Sequence, residues 1–381
     1  MAEALDHCHL LVMGQTHEAL EIITRKLAQA PSDGLLWMHK AIAHKDLLQL
    51  IAAQQAMARA RSLRPHCALT RYNSALLSLL AGDDRHAWHD YEARWQVPGF
   101  PSPVRVDLPQ PLWRGQDLAH GSLLLHGEQG AGDCIQFSRF ISQAAERVGS
   151  LVVEVEASLL PLFAPLAPQA LWIAKGGQAL PPTTAQAPLL SLPLALGWHL
   201  QEPMPAVPYL EAPPERMAWA RMRLDACAGQ GVRIGLVWRG RATHINDHHR
   251  SLPLPTLLAH LPPGPRYVSL QQPVDAMERE ALQRAGVANL GVESVDWSDT
   301  AALCAGLDQV VGVDTGVLHL AGGLGVPTVA LLPRVPDWRR QLNRRETPWY
   351  PQMTLCRQKA VNDWNSVWPQ VPWATKPRVR P

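Results

Sequence analysis

The chain has little charge and little phenylalanine, and several signals that would assign a class at once are missing. Charged residues make up 18% of its 381 positions, the net charge is +2, and no lysine–arginine block stands out. Such a balance does not point to a nucleic-acid partner. The six cysteines (Cys8, Cys67, Cys134, Cys227, Cys304 and Cys356) are scattered, with no C-x-x-C pair. Neither a disulfide framework nor a zinc site is suggested, which fits a reducing, cytoplasmic setting. The N-terminus has no basic n-region and carries Glu3 and Asp6 early, unlike a signal peptide. Every long apolar run is interrupted by charge or proline, so no membrane span is expected.

What is present is a hydrophobic content of 47%, 34 prolines, and 14 tryptophans against 4 phenylalanines. The first fits a well-packed globular chain, and the length allows two or three domains. Residues 1–98 read as helices that repeat. Ala19, Ala53 and Ala87 are spaced by 34 residues, as are Ala41 and Ala75, and Pro31 and Pro65; Gly14 and Gly82 lie two periods apart. Small residues at fixed places let paired helices pack closely, and a 34-residue helix–turn–helix period is the tetratricopeptide signature. Leu48 stands where the middle repeat would carry its turn glycine. The alternative is a plain helical bundle. The stretch from Val97 to Pro111, with five prolines, reads as a linker, so 99–111 separates the repeats from the rest of the chain.

After the linker, the run Gly121–His126 ends in Gly127-Glu-Gln129-Gly130-Ala-Gly132-Asp133, and a helix is expected from Cys134 to about Arg147. Strand, glycine-rich loop, helix and a further strand at Leu151–Val155 make a doubly wound pattern over 112–228. A Walker A loop is excluded because the Gly-Lys-Ser/Thr ending is missing. A dinucleotide fingerprint, and with it an oxidoreductase, lacks its third glycine, since Ile135 stands there. Two readings of Asp133 stay open: a helix N-cap, or an acid presented into a cleft by the loop Gln129, Gly130 and Gly132.

A second doubly wound half is expected over 229–372, with 373–381 as a tail. Its first strand, Gly231–Trp238, leads to a loop with three arginines and three histidines. Arg239, Arg241 or Arg250 could neutralise a diphosphate leaving group, or the loop is merely solvated. The group His244, Asp247, His248 and His249 matches no standard zinc or iron spacing, so no metal is assigned. Further on, strand Gln309–Val313 stops at Asp314-Thr315-Gly316, a short helix runs from Val317 to Leu324, and a strand follows at Thr328–Leu332. Backbone N–H groups and the helix dipole at such a turn favour an anion, usually a phosphate. An ordinary strand–helix joint is the plainer alternative. The tryptophans of the tail, with a helix expected around Asn362–Trp368, read as packing anchors.

Taken together these residues resemble glycosyltransferase family 9, the heptosyltransferase-like group, in the form fused behind tetratricopeptide repeats. The longest match is Asp314-Thr-Gly-Val-Leu-His319-Leu-Ala-Gly-Gly-Leu-Gly325-Val-Pro327; Gly130-Ala-Gly132-Asp133 is a shorter one, and Pro336-Asp-Trp338-Arg fits the repeat-fused subgroup. The resemblance implies α-helical repeats followed by an α/β GT-B fold of two Rossmann-like domains. The donor would lie mainly on the C-terminal one and the acceptor on the N-terminal one. It implies inverting, metal-independent transfer from a nucleotide sugar, used as substrate with no cofactor, to a hydroxyl of a protein, peptide or glycan. In that scheme the Thr315 and Gly316 amides, with Asp314 and Val317 in the same turn and His319 beside them, hold the diphosphate, and Asp133 is the general base. The family's phosphate-neutralising lysine has no match in this chain, leaving that part to Arg239, Arg241 or Arg250. The repeats would recruit a protein partner. The alternative is a repeat scaffold that binds a nucleotide without reacting.

Overall fold

The computed structural model describes residues 7–100, 105, 107–200, 202, 207–228, 231–241, 247–342 and 344–378. Two compact units emerge. One comprises Met1–Asp107 together with Val335–Asn343, the other Leu108–Arg334 and Arg344–Pro381. The C-terminal half expected over 229–372 is thus interrupted by a stretch that folds with the helices.

The helical unit contains α1 (His7–Val12), α2 (Thr16–Gln29), α3 (Gly34–Asp46), α4 (Leu50–Leu63), α5 (Ala68–Ala81) and α6 (Ala87–Tyr91). The 34-residue period reappears in the backbone. Helices α2 and α4 start that far apart, as do α3 and α5. Ala19, Ala41, Ala53, Ala75 and Ala87 are all buried, where a methyl side chain lets helices approach. The turns before α2, before α4 and after α5 each contain one left-handed residue: Gly14 (φ 74°), Leu48 (φ 58°) and Gly82 (φ 80°). Glycine takes that conformation freely, but a leucine pays for its Cβ. The returning segment buries Trp338, whose ring meets Trp88 at 5.7 Å and Tyr91 at 6.0 Å, both edge-on. That aromatic contact accounts for its place in this unit.

The α/β unit holds two sheets. The first is built from β1 (Leu118–His126), β2 (Val148–Val155), β3 (Leu171–Ala174) and β4 (Ala185–Pro188), all parallel in the order β3-β2-β1-β4. Around it run α7 (Ala131–Phe137), α8 (Ile141–Ala145), α9 (Leu160–Phe163) and α10 (Leu192–Leu196), and α11 (Pro214–Ala228) leads onward. The single helix expected from Cys134 to Arg147 therefore starts three residues earlier and is split by a 3-10 turn at Ser138–Phe140.

The second sheet has the order β10-β11-β9-β8-β5-β6-β7. In chain order its surroundings are β5 (Arg233–Val237), α12 (Asp247–Arg250), α13 (Leu254–Leu258), β6 (Arg266–Ser269), α14 (Ala276–Arg284), β7 (Ala288–Asn289), α15 (Trp297–Ala305), β8 (Gln309–Val313), α16 (Gly316–Gly323), β9 (Thr328–Leu332), β10 (Glu346–Thr347) and β11 (Tyr350–Arg357). Only β10 runs antiparallel. Every residue of β5, β8 and β9 is buried, as their unbroken apolar runs require of strands covered on both faces. Trp364 and Trp368 join this core from two 3-10 turns, in place of the expected helix at Asn362–Trp368. Among the described residues no helix is long and apolar enough to cross a membrane.

At the end of β5 one side chain ties the sheet to α14. Glu278 accepts from Trp238 Nε1 at 2.8 Å and from Arg239 Nε and Nη2 at 3.0 and 2.5 Å. Burial raises the Glu278 carboxyl, but the bonds from Arg239 and Trp238 outweigh it and leave it below its ordinary 4.5. A depressed carboxylate contributes stability above its unfolded pKa and loses it as pH falls through the folded value. Glu278→Gln should therefore cost about 1 kcal/mol at neutral pH, and the gap to wild type should narrow as pH falls below the carboxyl's ordinary 4.5 in denaturant titrations. Leu48→Gly should stabilise the chain by about 0.5–1 kcal/mol in the same assay, because the left-handed strain exceeds the added backbone freedom.

Candidate functional site

Two loops at the carboxyl ends of β1 and β8 meet in the α/β unit. From β8 the chain leaves a fully buried strand at Asp314, and Thr315 takes an extended N-cap conformation (φ −139°, ψ 171°) without a side-chain capping bond. The first intrahelical bonds run from the Leu318 and His319 N–H groups to the Thr315 carbonyl. Among the described residues the N–H groups of Gly316 and Val317 have no acceptor, and Thr315 Oγ1 is buried without a partner. Open N–H groups at a helix start, with a buried hydroxyl beside them, suit an anion.

From β1 the chain passes Gly127 and buried Glu128 to Gln129, a non-glycine at φ 55°. Gly130 is the N-cap of α7, and Asp133 is its third residue rather than the cap expected from spacing. The Asp133 Oδ2 accepts from the Gly130 N–H at 3.1 Å, the return arm of a capping box. Its neighbour Cys134 is buried. Burial, then the charges of Asp133 and Glu128, push that thiol up and keep it protonated.

These loops touch through glycine. A Cβ on Gly132 would lie 3.1 Å from the Gly316 Cα and 3.5 Å from His319 Cδ2, while one on Gly316 would meet the Trp297 ring at 2.8 Å. The helix starts α7 and α16 are therefore in backbone contact, with Asp133 one residue from it. Two ties hold this register. Tyr209 donates its hydroxyl to the Ile135 carbonyl at 2.9 Å, and its own N–H goes to the Gly323 carbonyl at 3.0 Å. Arg139, 3% exposed, donates Nη1 to the Trp349 carbonyl at 2.9 Å and lies over the rings of Tyr209 and Tyr350 at 4.4 and 4.9 Å. Sequence reading missed Tyr209 and Arg139; Trp349, buried here, is one of the tail tryptophans read as packing anchors. The available signal was an arginine set between Phe137 and Phe140.

His319 is buried, with Nδ1 hydrogen-bonded to the Tyr350 hydroxyl at 2.8 Å and Nε2 3.9 Å from the Asp314 carboxylate. The arginines divide. Arg239 is committed to Glu278 and the Pro273 carbonyl. Arg250 pairs with Asp247 at 3.3 Å and donates Nη1 to the Asp314 carbonyl at 3.2 Å, placing its charge at the turn before α16. Arg241 is exposed. Of the histidine-rich group, His244 and the side chain of His248 lie outside the described residues.

Residues 292–360 match the family model of glycosyltransferase family 9 (heptosyltransferase). Protein FlbA of Caulobacter vibrioides is 28% identical over 376 aligned residues, which cover 90% of this chain and 61% of that protein. The chain spans about three fifths of that relative's length. Similar solved structures include the glycosyl transferase family 9 from Veillonella parvula DSM 2008 (TM-score 0.46, 11% identity, 68% of this chain and 94% of that one). Another is the E. coli ADP-heptose lps heptosyltransferase II (TM-score 0.44, 14% identity, 65% and 95%). The matched residues contain α15, β8, α16, β9 and Tyr350, so the family match includes the turn between β8 and α16. The likeness to glycosyltransferase family 9 (heptosyltransferase) is carried by residues 292–360 of the α/β unit.

Proposed function

We propose that the chain transfers a sugar, of hexose or heptose size, from a nucleotide-sugar donor to an acceptor hydroxyl, with inversion and without a metal. The observation that carries this reading is the approach of Gly132 to Gly316, which sets an acid beside an open helix start. In this scheme the donor diphosphate takes the Gly316 and Val317 N–H groups and the Thr315 hydroxyl, with His319 behind them. The acceptor oxygen attacks the anomeric carbon from the face opposite the diphosphate. Its proton passes to Asp133, while the bond to the diphosphate breaks and its electron pair leaves on the phosphate oxygen. Arg250 supplies the positive charge that offsets this leaving group. The loop Gln129, Gly130 and Gly132 borders the acceptor. Strain at Gln129 supports a working role for it, since left-handed non-glycine residues cluster at functional loops.

The helical unit we read as tetratricopeptide-like repeats that recruit a protein or peptide partner, an acceptor among the candidates. The 34-residue recurrence of helix starts, buried alanines and left-handed turns supports that reading.

A second reading, a nucleotide-binding scaffold that no longer reacts, draws support from the engagement of Asp133 with the Gly130 N–H. A panel of nucleotide sugars and nucleoside diphosphates separates the two. Asp133→Ala should lower transfer by about 100-fold or more while nucleoside-diphosphate affinity stays within about 2-fold. Unchanged transfer would leave Asp133 with only its bond to the Gly130 N–H, and nucleotide binding with no transfer by wild type would favour the scaffold. Thr315→Trp should abolish diphosphate binding in a thermal-shift assay. Arg250→Ala should weaken it by about 10-fold or more, and Arg241→Ala by much less. EDTA should leave transfer intact.

A further inference from the structure

The helical unit brings together three side chains that the transfer reaction does not use. His7 and Cys8 lie on the first turn of α1, and His39 lies on α3. The His7 Nε2 is 2.9 Å from the His39 Nδ1, and the Cys8 Sγ is 3.6 and 3.8 Å from those same nitrogens. All three ligand atoms fall within 4.8 Å of one another. In a tetrahedral site with zinc–nitrogen bonds of about 2.0–2.1 Å and a zinc–sulfur bond of about 2.3 Å, nitrogen and sulfur stand about 3.6 Å apart and two nitrogens about 3.3 Å. The sulfur distances already match, and the two rings need to part by a few tenths of an ångström.

We propose that His7, Cys8 and His39 form a binding site for a borderline-soft divalent cation of the zinc type, with a water as the fourth ligand. Thiolate plus two imidazoles is the donor set that selects such ions over calcium or magnesium. Binding is an exchange of protons for metal. The Cys8 thiol gives up its proton to solvent, and the His7 ring moves its hydrogen. The Lys26 ammonium, which can only donate, lies 3.2 Å from the His7 Nδ1. That makes Nδ1 an acceptor and puts the ring hydrogen on Nε2, shared with His39. For Nε2 to face a cation the hydrogen must shift to Nδ1 and the exposed Lys26 side chain must swing away. Lys26 therefore competes with the metal. Once bound, the ion joins α1 to α3, two helices far apart in sequence, and so adds its binding energy to the first repeat.

The test is a Co(II) titration of the full-length protein after chelator treatment. A thiolate-to-cobalt charge-transfer band should grow to one metal per chain, and Zn(II) should abolish it by displacement. Cys8→Ser should remove the band. His39→Gln should weaken binding by at least about 100-fold, and Lys26→Met should tighten it several-fold. Cys227→Ser, which changes the exposed thiol, should alter nothing. Circular dichroism of Cys8→Ser and His39→Gln should match wild type, so that lost helix does not explain lost metal. No band in the wild type, or a band that survives Cys8→Ser, would overturn the assignment.

Discussion

The α/β unit depends on one close approach, that of Gly132 on α7 to Gly316 on α16. Backbone-to-backbone contact is available only where neither residue carries a Cβ, so two glycines set how near the helix starts can come. Each helix start has an electropositive end, and bringing two together is unfavourable unless something negative stands between or beside them. Asp133 does so on one side by taking the Gly130 N–H. On the other side the Gly316 and Val317 N–H groups and the Thr315 hydroxyl are left for an anion, a place that a diphosphate suits.

Polar contacts around this point are distributed by cost. Arg139 is a buried cation, and aromatic faces and carbonyls offset its desolvation where a carboxylate would otherwise be needed. Arg239 and Glu278 form a clamp that belongs to the fold. Arg250, half committed to Asp247 and reaching the Asp314 carbonyl, keeps a positive charge at the turn where one is useful. Arg239 and Arg250, which look equivalent along the chain, thus have different employments.

Much of this was legible in the sequence where local rules act alone. The apolar runs of β5, β8 and β9 announced strands, which the structure buries throughout, and the alanine period announced a helical repeat of 34 residues, which recurs in the helix starts. The Asp314-Thr-Gly turn was legible because a strand, a glycine and a helix follow in order. What was not legible depends on long-range packing. The capping role of Gly130 moved Asp133 three residues into α7. Arg139 donates to a carbonyl 210 residues away, and β3, β4 and β10 are too short to stand out. The His7–Cys8–His39 cluster joins residues about 31 apart, a spacing that no ligand motif contains.

Amide hydrogen exchange with and without a nucleoside diphosphate tests the central claim, that the α16 start facing α7 is the donor cradle. ADP, UDP and GDP would be compared, using whichever most raises the melting temperature. Binding should slow exchange across residues 315–319, with a smaller effect over 129–133, and leave the helical unit unchanged. Saturating ligand that protects another part of the α/β unit while residues 315–319 exchange as before would contradict it.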